Sequence, residues 1–202
     1  MELAHRWRDR NLTRMELIMA LLVLALLIGY FSRYTLVLFA RAEKTMMNRT
    51  VMNINTTLNY HSSYAALNRQ YDALQSLSRI NPMESVQLSL EINQFDSEIN
   101  TSALAYAPTS YSPPANYGGV IFSGIPEVME KGKWYFQQDD RILVYRLSND
   151  EFFNSDLEGP SRIRFRIKLD YKDNNANGQY EANIDEYNSI KLESVDRYTW
   201  EI

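Results

Sequence analysis

An uncharged apolar run from Leu17 to Phe31 stands between Arg14 and Arg33. A helix needs roughly 20 residues at 1.5 Å each to cross a hydrocarbon core, so this run of about 15 is short by itself. Apolar character resumes after Ser32 and Arg33, from Tyr34 to Ala40. A single arginine near one end can lift its guanidinium toward the headgroups, and residues 15–40 are therefore predicted to form one transmembrane segment. The rival is a cleaved secretory signal, with Arg6, Arg8, Arg10 and Arg14 as its basic region and Leu17 to Ile28 as its apolar region. No small-x-small cleavage site follows, and the helical pattern continues through the place where one would stand.

Past the membrane the period of a helix persists. Met47, Val51, Ile54 and Leu58 step by four, three and four, and after a slip the stripe resumes at Tyr64, Leu67, Tyr71, Leu74 and Leu77. Asn81-Pro82 closes it, because the residue before a proline is pushed out of helical geometry. One helix is predicted from Met15 to about Ile80.

Alternating runs follow. Val86, Leu88, Leu90 and Ile92 alternate, as do Ile163, Phe165, Ile167, Leu169 and Tyr171 against Arg164, Arg166, Lys168 and Asp170. Trp134 to Phe136 and Ile142 to Tyr145 flank Gln137 to Asp140 as a hairpin. Ile190, Leu192, Tyr198, Trp200 and Ile202 supply closing strands, and Ala105 to Gly119 reads as a proline-rich surface loop. The fold class is α+β, a long N-terminal helix whose outer half covers an antiparallel sheet. The domain plan is a basic tail or leader at 1–14, a transmembrane segment at 15–40, the amphipathic continuation at 41–82 and an exported β-rich domain at 83–202.

Charge adds orientation. Residues 1–60 hold 8 Lys and Arg against 4 Asp and Glu, and residues 61–202 hold 13 against 21. A short basic tail stays in the cytoplasm easily, which puts the acidic remainder on the other side of the membrane. An acidic domain is poorly suited to nucleic acid, whose affinity comes largely from neutralised phosphates. Cysteine is absent and histidine occurs only at 5 and 61, leaving no thiolate site, no zinc cluster and no Ser-His-Asp set. Gly118 to Gly124 lacks the lysine of a phosphate loop. The residues offer no catalytic constellation, and an enzyme is not expected.

Ion chemistry has one candidate. Asp173, Asn175, Asn177 and Gly178 match the opening of a calcium loop, with Gln179 next in the series. The twelfth position is Ile184, so Glu181 or Asp185 would have to supply the missing carboxylate. The competing reading is a plain turn, for which Asn177-Gly178 is a strong signal.

Leu12-Thr13-Arg14-Met15-Glu16-Leu17, behind a basic stretch and ahead of a hydrophobic helix, resembles the start of type IV pilins and of the pseudopilins of type II secretion systems. With Leu12 at the first mature position, Glu16 stands fifth, where that family keeps a glutamate that pairs with a neighbour's free amine. The junction is atypical: Asn11 stands where the family's peptidase takes glycine, and Arg14 replaces an apolar residue. Gly132-Lys-Trp-Tyr-Phe136 and Leu143-Val-Tyr-Arg146 are similar to segments of accessory pilin-like proteins of the mannose-sensitive haemagglutinin (MSHA) pilus. The resemblance implies a pilin-like fold and a single-pass inner-membrane protein that assembles or anchors a pilus. Its implied partners are pilins, inner-membrane assembly proteins and further copies met through the N-terminal helix. A polymerised minor pilin is the alternative within the family. A bitopic ligand-binding or sensor protein is the alternative outside it, and the short stretch ahead of the span leaves that reading no cytoplasmic output domain.

Overall fold

The computed structural model describes residues 2–67, 71–83, 113–122, 126–182 and 184–202, with side chains from 13 onward in the first stretch and from 74 in the second. The predicted strand at Val86 to Ile92 and most of the loop from Ala105 to Gly119 lie outside the described residues. Helix α1 runs from Glu2 to Leu67 and α2 from Tyr71 to Leu77. The strands are β1 (Tyr117–Ile121), β2 (Trp134–Gln137), β3 (Ile142–Arg146), β4 (Phe153–Ser155), β5 (Arg162–Lys172), β6 (Glu186–Ser194) and β7 (Tyr198–Trp200). Five of them form a sheet in the order β1-β2-β3-β5-β6, with β1 parallel to β2 and the rest antiparallel. The antiparallel pair β4-β7 makes a second, small sheet. The architecture is α+β, as the hydrophobic pattern demands.

Helix α1 hides one stripe on the sheet. Ala40, Glu43, Met47, Ile54, Leu58, Ser62 and Ala65 are buried along it, and Val51 packs partly covered. Facing them are Trp134, Phe136, Leu143, Tyr145, Ile163, Phe165, Ile167, Ile190 and Leu192. The period of two puts their neighbours on the far face, where Tyr135, Ile142 and Val144 meet Met129 in a smaller apolar cluster. In β5 the arginines and lysine at 164, 166 and 168 stand opposite the core residues, and Arg164 grips Asp196 through Nε at 2.7 Å.

Helix α1 is described to Leu67 and α2 from Tyr71 to Leu77, and the predicted continuity between them falls on 68–70, outside the described residues. One part of the outer stripe is corrected: Leu67 is 85 % exposed, and Ser62 and Ala65 occupy the buried line instead, while Leu74 and Leu77 are buried as predicted. Steps of four, four and three from Ile54 keep a straight helix in register, and Ser62 is tolerated inside because its hydroxyl donates to the Asn59 carbonyl at 3.0 Å.

Candidate functional site

Three features of α1 converge where it leaves its apolar run. The first is that run itself. From Thr13 to Leu36 every residue of α1 is exposed, and among the described residues α1 is the one helix long and apolar enough to cross a membrane, its best window reaching a mean hydropathy of 2.2.

The second is a carboxylate on the buried stripe. Glu43 is 6 % exposed, and an ionised group taken out of water is costly unless its lone pairs are met. Four donors meet them. Tyr145 Oη at 2.9 Å and the Ser148 amide at 2.7 Å donate to Oε1, while the Asn149 amide at 2.7 Å and its Nδ2 at 2.8 Å donate to Oε2. Burial, then the neighbouring Glu43 charge, push the Tyr145 hydroxyl well above the ordinary tyrosine range. The turn after β3 is shaped for this contact: Gly132, at φ 75°, donates to the Arg146 carbonyl, and a Cβ on it would strike Ser148 Oγ. Twelve residues along, Asn55 Oδ1 accepts the Leu192 amide of edge strand β6 at 2.6 Å. Polar ties at two levels thus fix how α1 lies across the sheet, with Met47, Val51 and Ile54 between them.

The third is a groove of about 590 Å³ beside the Glu43 contact, walled by Phe39, Met46, Arg49 and Asn53 of α1 and by Asn116 and Trp134 across from them. Its helix wall belongs to a second stripe, Leu24, Ile28, Phe31, Thr35, Phe39, Ala42, Met46, Arg49 and Asn53, which advances by threes and fours and stays exposed throughout.

The predicted site residues fall elsewhere. Glu16 stands exposed on α1. Asn11 and Leu12 belong to α1, but their side chains lie outside the described residues. The calcium-loop candidates lie in the turn after β5, where their oxygens accept hydrogen bonds from the loop's own chain. Asp173 accepts the Gly178 amide at 2.7 Å and the Asn177 amide at 3.3 Å, and the first of these bonds holds its carboxyl below the usual range. Asn177 Oδ1 accepts from the Gln179 amide at 2.7 Å, Asn175 Nδ2 donates to Glu181 at 2.7 Å, and Asp185 accepts from the amides of Asn174 at 2.9 Å and Glu181 at 2.8 Å. Among the described residues no three of His, Cys, Asp or Glu come together to hold a metal ion. Ala176 at φ 58° and Gly178 at φ 75° supply two left-handed residues of this turn. His61, half covered beside Tyr60, has its pKa lowered by burial.

Sequence reasoning missed Glu43, yet a signal was present: stepping back from Met47 by four and three lands on Glu43 and Ala40, so a charge sat on the buried line. No protein-family model matches the chain, and neither a curated protein nor a solved structure matches it.

Proposed function

We propose that this chain is a pilin-like accessory protein of the bacterial inner membrane that assembles or anchors a type IV pilus of the MSHA kind, in the manner of the MSHA biogenesis protein MshF. The observation that carries the reading is a single helix, exposed and apolar over its first half, that continues unbroken into the spine of a sheet domain. The N-terminus is cytoplasmic and the sheet domain periplasmic. Partners, whether pilins, assembly-platform proteins or a second copy, are met along the exposed stripe from Leu24 to Asn53, which offers apolar contacts in lipid and Arg49 and Asn53 outside it.

The test is genetic and biochemical together. Deleting the chain removes surface pili, and the tagged protein brings pilins with it from solubilised inner membranes; normal piliation together with failure to recover any pilus component overturns the proposal. The second reading, a subunit that enters the filament, is favoured by Glu16 lying exposed on α1. Mass spectrometry of the membrane-bound protein decides between them: an N-terminus at Met1 indicates a retained anchor, and one at Leu12 indicates incorporation.

A further inference from the structure

The exposed apolar part of α1 and the sheet domain leave no spacer between them. From Met15 to Leu36 about 22 residues rise about 33 Å, which matches a hydrocarbon core of about 30 Å. Val37 is already half covered, and Ala40 is 0 % exposed. Ala40 lies about 6 Å beyond Leu36 along the axis, no more than the thickness of one headgroup layer at about 5–7 Å. Any part of the domain that packs beside Ala40 is therefore at headgroup depth.

That end of the domain has the chemistry of an interface. Lys44, one turn beyond Ala40, carries its Nζ to 6.0 Å from the centre of the Trp200 ring. Phe153 packs edge-on against Trp200 at 5.5 Å and stacks on Tyr198 at 5.8 Å, while the Glu201 amide donates to the Phe152 carbonyl at 2.9 Å. Ser148 and Asn149, which lead from β3 into this small sheet, are pinned to Glu43 at the same level. Aromatic rings favour the membrane boundary; Phe153, Tyr198 and Trp200 are half-covered by the domain, and since the Trp200 indole nitrogen is buried, ring surface rather than a polar edge makes the contact.

We infer that β4, β7 and the turn from Ser148 to Phe152 form a foot that rests in the lipid headgroup layer and holds the sheet domain at one fixed height and tilt on the bilayer. The inference rests on α1 being a membrane anchor, as proposed above. Its occupant is the bilayer that α1 itself enters, since the same helix delivers the foot to that surface. Asp150, Glu151 and Glu201 flank the small sheet, so the contact is one of aromatic partition, and added salt leaves it in place.

The test uses the full chain in vesicles of phosphatidylethanolamine and phosphatidylglycerol. In a Trp7→Phe background, acyl chains brominated near the headgroup quench a component of the emission that disappears in Trp200→Phe, while the buried Trp134 stays bright. Because the chain has no cysteine, a nitroxide on Glu201→Cys gives a second measure; it favours oxygen over a water-soluble nickel chelate several-fold more than a nitroxide on Asn177→Cys in the distal turn. Seven polar helical residues inserted after Leu38 raise the domain by about 10 Å and abolish both signals. Equal behaviour of the Glu201 and Asn177 labels, or quenching that survives the insertion, overturns the foot while leaving the anchor intact. Loss of the whole chain from vesicles under alkaline carbonate overturns both.

Discussion

Between Met15 and Leu36 helix α1 turns apolar side chains outward on every side, whereas from Ala40 to Ala65 it covers one stripe and wets the rest. The backbone is the same in both halves, and with α1 as the membrane anchor proposed above the difference is one of solvent. In hydrocarbon a helix already satisfies its own backbone and needs no partner for its side chains; in water it must bury an apolar face to remain ordered. The boundary between these regimes is sharp because Glu43 stands on the buried stripe only seven residues past Leu36. There it can be held by four protein donors, whereas in the first half it would face acyl chains.

The strongest way to break the contrast is to put a charge into the lipid half. Leu24→Arg places a cation near the bilayer centre at a cost of about 3 kcal/mol or more, and the chain is expected to leave the carbonate-resistant membrane fraction. Glu16→Ala, near the start of the apolar run, is expected to stay in it and to affect assembly alone; equal loss of both would make Glu16 merely part of the anchor.

In the outer half the order of effects should follow burial. Ile54→Ala removes a core side chain that is 1 % exposed and is expected to cost about 3 kcal/mol, within the 2–5 found for such truncations. Glu43→Ala strands two backbone amides and the Tyr145 hydroxyl, and is expected to cost about 2 kcal/mol. Both are read as lowered urea midpoints of the sheet domain in the full chain, and an unchanged midpoint for Glu43→Ala would demote the four-donor clamp. Leu67→Ala, at an exposed position, is expected within about 0.5 kcal/mol; a large loss would restore the stripe first read from the sequence.

The smallest effect is a titration. Asp173 has its carboxyl held low by backbone donors, so its contribution is present above its ordinary value of 3.8 and fades as pH falls through the lower folded value. The turn after β5 should therefore loosen only in strong acid, seen as faster amide exchange at Gly178 ahead of the rest of the domain. Loosening at neutral pH on adding a chelator would instead point back to a bound cation.

Strand β5 was legible because eleven residues alternate without interruption, and the β2-β3 hairpin because two aromatic and aliphatic runs flank one polar turn. The outer stripe was legible to Leu58 and again at Leu74 and Leu77, which are buried as the period predicts, but not between them. In that interval two stripes fit the same residues, and the periodic rule chose Leu67 where packing chose Ser62 and Ala65. Spacing could not separate the calcium reading from a turn for a related reason: oxygen-bearing residues at alternate positions suit both a cation and a turn that hydrogen-bonds to itself, and spacing cannot tell where the oxygens point. Glu43 was visible as an anomaly, but its partners were not.

The order of residues alone determined that a rod begins in an apolar run and ends as an amphipathic helix ahead of a sheet, since run length and period are local properties of the chain. Only the tertiary structure decided that β7 leaves the main sheet to pair with β4, that β1 lies parallel to β2, and that Glu43 is met by groups 102 to 106 residues away. Such pairings depend on which distant donors and edges reach one another once the core has closed, and no local rule of propensity or spacing carries that information.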